Sequence, residues 1–409
     1  MTLDETYMSR ALELAYQGRF TTSPNPNVGC VIVKDEQIIG EGFHVRAGEP
    51  HAEVHALRMA GEKAKGATAY VTLEPCNHQG RTPPCADTLI AAGISRVVVA
   101  IQDPNPQVAG RGLFKLQQAG IAVEHGLMME QAETLNKGFF KRMRTGFPYL
   151  QLKLGASLDG RTALASGESK WITSPQSRQD VQKLRAQCSA ILSSSATVLA
   201  DDPSLTVRWN ELDAETQSHY LQALEPQSLE PQFIDPQAHL RQPVRIIVDS
   251  QNRVTPQHKV IQQAGQCWLA RTDISFSGIA SANIASADHT VSADKDAQHW
   301  PDNVEQILLP TQSSGAGIDL VLLMMQLGKR QINSIWAECG PQLAGALLSL
   351  GLVDEVILYI APKVLGKSAR GLFDIPELQK LSDAPEFTLI DVKQVGPDVR
   401  LRLRPRFAF

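Results

Sequence analysis

The chain has 409 residues, 43% hydrophobic and 20% charged, the make-up of an ordinary globular protein with room for about two or three domains. Its 39 Lys and Arg against 43 Asp and Glu give a net charge of −4, without the basic footprint of a nucleic-acid binder. No apolar run approaches the roughly 20 residues needed to cross a bilayer, and the acidic start Met1-Thr2-Leu3-Asp4-Glu5 lacks the parts of a signal peptide. We therefore expect a cytoplasmic protein with no membrane partner. Cysteines at 30, 76, 85, 188, 267 and 339 are too scattered for a disulfide framework, and in a reducing compartment a close pair points to metal.

In chain order, Met8, Ala11, Leu12 and Ala15 recur at helical spacing before the loop Thr21-Thr22-Ser23-Pro24-Asn25-Pro26-Asn27. Val28 to Val33 reads as a buried strand with Ile38 to Phe43 as its hairpin partner, and His51 to Ala60 as a helix. Further strands are expected at Ala69 to Leu73 and Arg96 to Ile101, giving a mixed sheet in an α/β sandwich. A second α/β unit begins near Phe147-Pro148, where Leu150, Leu152 and Leu154 alternate with polar residues. Ser174-Pro175 then caps a helix carrying Val181, Leu184 and Cys188. Strands are expected at 190–193, 244–249, 335–338 and 356–360. Two stretches, about 210–240 and 272–303, are polar and loop-like, and read as surface excursions.

The chemistry concentrates in the first unit. His51, Cys76 and Cys85 offer one imidazole and two thiolates, enough for three tetrahedral positions on Zn2+ with the fourth left open, as catalysis requires. Glu53 stands two residues beyond His51, placed to move protons without binding metal. This is the H-x-E…P-C…C layout of zinc nucleobase deaminases, except that eight residues separate the cysteines. Any single His or Cys is more often a packed residue; three ligands with a placed Glu are harder to dismiss. His55 and Cys30 read as structural. Arg81, at the tip of the long inter-cysteine loop, suits a phosphate through its planar fork, although a solvated surface arginine is an equal alternative.

The set Pro24-Asn25-Pro26-Asn27-Val28-Gly29, Gly42-Phe43-His44, His51-Ala52-Glu53, Glu74-Pro75-Cys76, Gly80-Arg81-Thr82-Pro83-Pro84-Cys85 and Asp103-Pro104-Asn105-Pro106 resembles the bifunctional deaminase/reductase family of riboflavin biosynthesis. Lys153 to Gly160, Trp171-Ile172-Thr173 and Asp201 to Thr206 extend the resemblance through the second half. It implies an N-terminal cytidine-deaminase-like α/β/α sandwich over 1–145. Over 147–409 it implies an α/β domain similar to dihydrofolate reductase. The implied substrate is a diamino-(phosphoribosylamino)pyrimidinone, whose 2-amino group is hydrolysed before NADPH reduces its ribosyl group to ribityl.

By the same resemblance, Asn25, His44 and Arg81 contact the deaminase substrate. Lys153, Ser169, Arg185, Leu205, Arg208 and Glu338 contact the reductase substrate. Gly155, Trp171, Thr197, Asp201, Ser250 and the run Gly340, Pro341, Gln342, Leu343, Ala344 and Gly345 contact NADPH. The residues alone support this half less: no G-x-G-x-x-G follows a strand, and small residues opening a helix are common packing devices. Read without the family, Arg185 is a helix-dipole contact and Trp171 a core aromatic. The implied partners are a small molecule and a second copy of the chain, without nucleic acid. Two alternatives stand beside this reading: a tRNA or nucleoside deaminase with an accessory domain, and a structural zinc module using His78 as a fourth ligand.

Overall fold

In the computed structural model the described residues are 1–77, 84–105, 108–222, 240–273, 299–312 and 317–406. They gather into two compact units: Met1–Tyr149 with Leu212–Arg241 and Gln331–Asn333, and Leu150–Glu211 with Gln242–Arg330 and Ser334–Phe409.

In the first unit, β1 (Gly29–Lys34), β2 (Gln37–Phe43), β3 (Thr68–Val71), β4 (Arg96–Val99) and β5 (Ala122–His125) form a sheet of order β2-β1-β3-β4-β5. The β1 pairings with β2 and β3 are antiparallel, and β3-β4-β5 run parallel. Because strand side chains alternate, Cys30, Ile32, Val71, Val97 and Val99 enter one core while Val31, Val33, Tyr70 and Val98 enter the other. The first core is closed by α2 (Ala52–Ala60), α3 (Cys85–Ala91) and α4 (Arg111–Gln118), the second by α1 (Leu3–Gln17), α5 (Met129–Leu135) and α6 (Lys137–Thr145). Both faces being covered explains the near-continuous apolar run of β1. The expected sandwich with a mixed sheet is what forms. Gly42 is required in β2: a Cβ there would lie 2.5 Å from the Ala52 carbonyl, so glycine lets the start of α2 sit close on the sheet.

In the second unit the strands are β6 (Tyr149–Ser157), β7 (Arg161–Ala163), β8 (Ala190–Ser194), β9 (Val244–Val248), β10 (Cys267–Thr272), β11 (Val304–Leu309), β12 (Ser334–Glu338), β13 (Glu355–Ala361), β14 (Arg370–Gly371), β15 (Glu386–Val395) and β16 (Asp398–Arg406). The main sheet has order β11-β10-β9-β8-β12-β6-β13-β16-β15. The pairings β11-β10-β9-β8-β12 and β6-β13 are parallel, whereas β16 is antiparallel to β13 and β15. Among the helices, α7 (Pro175–Gln187) starts where Ser174 and Pro175 predict, with the Ser174 hydroxyl accepting from the Ser177 N–H. Next comes α8 (Ser195–Asp201).

The stretch about 210–240 departs from its reading as a surface excursion. Within it α9 (Ala214–Gln222) is helical, with Thr216 and Tyr220 buried and the Tyr220 ring stacked on Phe20 at 5.0 Å, inside the first unit. Its polar residues are the solvent side of an amphipathic helix, which composition alone reads as loop. Residues 223–239 and 274–298 lie outside the described residues. The remaining helices are α10 (Lys259–Gln262), α11 (Leu320–Lys329) and α12 (Pro341–Ser349).

Candidate active sites in the two units

His51 is the N-cap of α2, in extended conformation and making no capping bond with its side chain, so the imidazole is free to face the cysteines. Cys85 is the first residue of α3, and its backbone N–H donates to Cys76 Sγ at 3.3 Å. A helix N-terminus beside sulfur favours thiolate. The thiol bond shared with Cys85, together with His51 and this N–H, pushes the Cys76 thiol below its ordinary value. His51 Nδ1 lies 3.2 Å from Cys85 Sγ and 3.6 Å from Cys76 Sγ. The three ligand atoms fall within 4.8 Å of one another, the grouping a metal ion needs.

Glu53, in the first turn of α2, is 3% exposed, and burial raises its carboxyl above the ordinary value. Its Oε2 has no hydrogen-bond partner among the described residues. A buried carboxylate oxygen left open beside two sulfurs and an imidazole fits a metal-held water as its missing partner. His55 instead packs against β2 and stays out of the cluster: its Cβ is 2.6 Å from where a Cβ on Gly42 would be. Cys30 is fully buried in the first core, as read.

His44 Nδ1 donates to the Pro50 carbonyl at 3.2 Å, leaving Nε2 to accept from the Asn25 amide at 3.0 Å. Burial lowers His44 to about 4, so it is neutral at physiological pH. The His44 ring meets His51 edge-on at 5.2 Å. Asn25 and His44 thus border the cluster, offering amide and imidazole edges of the kind that match a heterocycle. Arg81 and His78 lie outside the described residues.

One residue of this site carries no assigned role in the sequence reading. Glu74, 4% exposed, accepts the N–H groups of Asp103 at 3.2 Å, Gly110 at 3.0 Å and Gly112 at 2.9 Å. It fixes the Asp103 loop to the turn that delivers Cys76. Its place directly before Pro75-Cys76 was the available signal.

In the second unit Glu338, Gly340, Thr197 and Ser250 lie at or just beyond the carboxyl ends of the parallel strands β12, β8 and β9, where sites of open α/β sheets lie. Glu338 ends β12. Arg185, from the last turn of α7, clamps it bidentately, with Nη2 to Oε2 at 2.8 Å and Nε to Oε1, and also donates to the Thr206 carbonyl at 3.1 Å. Trp336 Nε1 adds a bond to Glu338 Oε1 at 2.8 Å. Burial alone would raise Glu338, but the Arg185 charge and its hydrogen bonds outweigh it and hold the carboxyl at about 2. Lys153 on β6 is lowered by burial, opposed by Glu338. Gly155, two residues on, has room for a Cβ only 3.3 Å from the Thr173 methyl and 3.9 Å from Lys153 Nζ.

Trp171 is no core aromatic: it is 63% exposed, with Arg178 over its ring at 4.4 Å. Lys170 Nζ bonds the Asp201 carbonyl at 3.3 Å, bringing the Ser169–Trp171 segment beside Asp201. Thr197 hydrogen-bonds Ser194 at the start of α8, and Ser250 follows β9.

Two of the predicted residues have side chains engaged within the protein. Leu205 is 4% exposed, its side chain packs in the core with Ile191 and Val198, and its main chain adopts a left-handed φ of 49°. Arg208 is held by Glu211, through Nε and Nη2 at 2.6 Å each. Of the α12 run, Leu343, Ala344 and Gly345 turn into the core, and a Cβ on Gly345 would lie 1.9 Å from the Asp374 carbonyl. Gly340 is the N-cap without a side-chain cap bond, and nothing lies within 4 Å of a Cβ built there. Open space before uncapped N–H groups fits a dinucleotide phosphate.

Residues 1–101 match the model of the cytidine and deoxycytidylate deaminase zinc-binding region, and residues 148–401 that of the RibD C-terminal domain. The chain is 65% identical over 400 residues to the riboflavin biosynthesis protein RibD of Escherichia coli, covering 98% of this chain and 99% of that one. It is 51% identical to RibD of Haemophilus influenzae, covering 98% of each. The solved structure of Acinetobacter baumannii RibD superposes with a TM-score of 0.82 at 43% identity over 99% of both chains. The diaminohydroxyphosphoribosylaminopyrimidine deaminase/5-amino-6-(5-phosphoribosylamino)uracil reductase of Thermotoga maritima does so at 0.78 and 31%, over 99% of both. A tRNA or nucleoside deaminase with an accessory domain is not favoured, since these likenesses run through both halves. The chain belongs to the RibD family of riboflavin-biosynthesis proteins and joins a zinc-binding deaminase domain to a reductase domain in one enzyme.

Proposed function

We propose that the first unit hydrolyses the 2-amino group of 2,5-diamino-6-(5-phosphoribosylamino)pyrimidin-4-one, and that the second reduces the ribosyl chain of the product to ribityl with NADPH. The cluster of His51, Cys76 and Cys85 around the unpartnered Glu53 oxygen carries the first half of this reading. Those three residues would hold Zn2+, which when bound lowers the pKa of a water into the neutral range. Glu53 would take that water's proton and hand it to the departing amine, a role its buried, raised carboxyl suits. Asn25 and neutral His44 orient the pyrimidine, and Arg81 receives the phosphate.

In the second unit Gly340 and the N–H groups opening α12 would hold the NADPH phosphates, with Gly155, Trp171, Thr197, Asp201 and Ser250 along its length. NADPH supplies a hydride. Lys153, Ser169, Arg185, Arg208, Glu338 and the main chain at Leu205 would bind and align the phosphoribosyl substrate. Six free cysteines and the absence, among the described residues, of a helix able to cross a membrane fit a cytoplasmic enzyme. The exposed Leu389, Ile390 and Val392 of edge strand β15 support a homo-oligomer.

Ammonia release and NADPH oxidation, followed separately on Glu53→Gln, test the division. Loss of the first with retention of the second, given deaminated substrate, is the expected result. Survival of both would remove Glu53 from its role.

A further inference from the structure

The chain leaving β3 runs Thr72-Leu73-Glu74-Pro75-Cys76, so Glu74 stands two residues before a metal-type ligand. Its backbone N–H donates to the Ile101 carbonyl at 3.0 Å, which pins this segment beside the end of β4 through main chain alone. Cys76 is secured separately. Its carbonyl accepts the Ala86 N–H at 3.2 Å, and its Sγ accepts the Cys85 N–H at 3.3 Å. The buried carboxylate of Glu74 takes no part in these bonds and is spent elsewhere.

It is spent on a loop. Oε2 accepts the N–H groups of Asp103 and Gly110, and Oε1 accepts that of Gly112. Asp103 lies in the segment that follows β4, Gly110 is the N-cap of α4, and Gly112 is in its first turn. One carboxylate therefore ties both ends of the 103–110 segment to the same point, and three N–H groups offset the cost of burying it. Between those ends the segment closes on itself. Asp103 Oδ1 accepts the Asn105 N–H at 2.8 Å, and the Asn105 carbonyl accepts from Val108 at 2.8 Å and Ala109 at 2.9 Å. Gly112 lets the clamp close, since a Cβ there would lie 3.1 Å from Glu74 Oε1. Ala109, Gly110 and Arg111 line a groove together with Asn77, the residue after Cys76. The wall they form thus begins one residue from the cluster of His51, Cys76 and Cys85. A wall held in place before binding spares the ligand the entropic cost of ordering it.

We propose that Glu74 is a positioning residue of the deaminase reaction: its carboxylate holds the 103–110 loop preformed as a wall of the pyrimidine pocket, and so sets substrate affinity rather than the chemical step. This rests on the deaminase reading of the first unit. The test measures bound zinc, kcat and KM for ammonia release, and a melting curve, on the full chain carrying Glu74→Gln. That change keeps the volume but leaves one acceptor oxygen for three donors. Hydrogen exchange at the amides of Asp103, Gly110 and Gly112 is followed in the wild type without substrate.

Glu74→Gln should keep its zinc and a kcat within about threefold of the wild type. Its KM should rise about 10- to 100-fold, the worth of lost bonds to a charged acceptor. Glu74→Asp, which keeps the charge one methylene short of the three N–H groups, should resemble it. The three wild-type amides should exchange slowly. A folded, zinc-loaded Glu74→Gln protein with wild-type KM would overturn the proposal, as would full recovery in Glu74→Asp. Loss of zinc, or a fall in kcat at unchanged KM, would place the carboxylate's role at the metal and overturn it too. Should neither variant fold, rapid exchange of the three wild-type amides would still overturn it. A wild type that releases no ammonia would instead remove the deaminase reading on which it stands.

Discussion

The two sites are built in opposite ways. In the first unit the groups proposed to react lie within 35 positions, from His51 to Cys85, and two helix starts present His51, Glu53 and Cys85. Their types are dictated by metal chemistry, which few residues can perform. In the second unit Lys153, Arg185 and Glu338 come from a strand, a helix end and another strand, spread over most of the domain. Their types, ammonium, guanidinium and carboxylate, also serve as ordinary ion pairs. A site of scarce ligands at short spacing announces itself; a site of common charges gathered by sheet topology does not.

The sharpest way to break that comparison is at Glu53. Glu53→Gln should lower ammonia release about 10²- to 10⁴-fold, the usual worth of a positioned acid/base group, with reduction of deaminated substrate unchanged. Next is the buried pair of the second unit. Arg185→Met strands the Glu338 carboxylate and should destabilise that unit by about 3–5 kcal/mol in denaturant unfolding, with zinc content of the first unit intact. The clamp also predicts a pH dependence. Glu338 is lowered to about 2 from an ordinary value of 4.5, so its contribution is complete above about pH 4.5 and lost as pH falls towards 2. Acid unfolding of Glu338→Gln should be correspondingly less steep. Gly112→Ala puts a Cβ 2.1 Å from the Pro75 carbonyl and should cost about 1–3 kcal/mol, disturbing the turn that delivers Cys76. Smallest is Ser174→Ala, which removes the α7 cap at about 1 kcal/mol in thermal melting.

The same contrast explains what was legible. The apolar run of β1 and the Ser174-Pro175 start of α7 are local signals, and each element forms where its residues place it. The three metal-type ligands and Glu53 were legible as a set because their spacing is itself the pattern. The bidentate grip of Arg185 on Glu338 was not, since 153 positions separate the partners and only the β6-β12-β8 order brings them together. Leu205 shows the converse: its position matches the family motif while its side chain belongs to the core, so that a ligand contact there falls to the backbone. Helix α9 escaped because its buried positions, such as Thr216 and Tyr220, are not strongly apolar and the segment around them is polar. Partners supplied by distant chain, here Phe20, decide such a helix.

The proposed function divides the chemistry, with zinc-dependent hydrolysis in the first unit and hydride transfer in the second. The most direct test measures bound zinc, ammonia release and NADPH oxidation on one purified sample before and after chelation. One zinc per chain, loss of ammonia release on its removal, recovery on its return, and reduction of deaminated substrate throughout are the expected results. Ammonia release that persists in metal-free protein would contradict it.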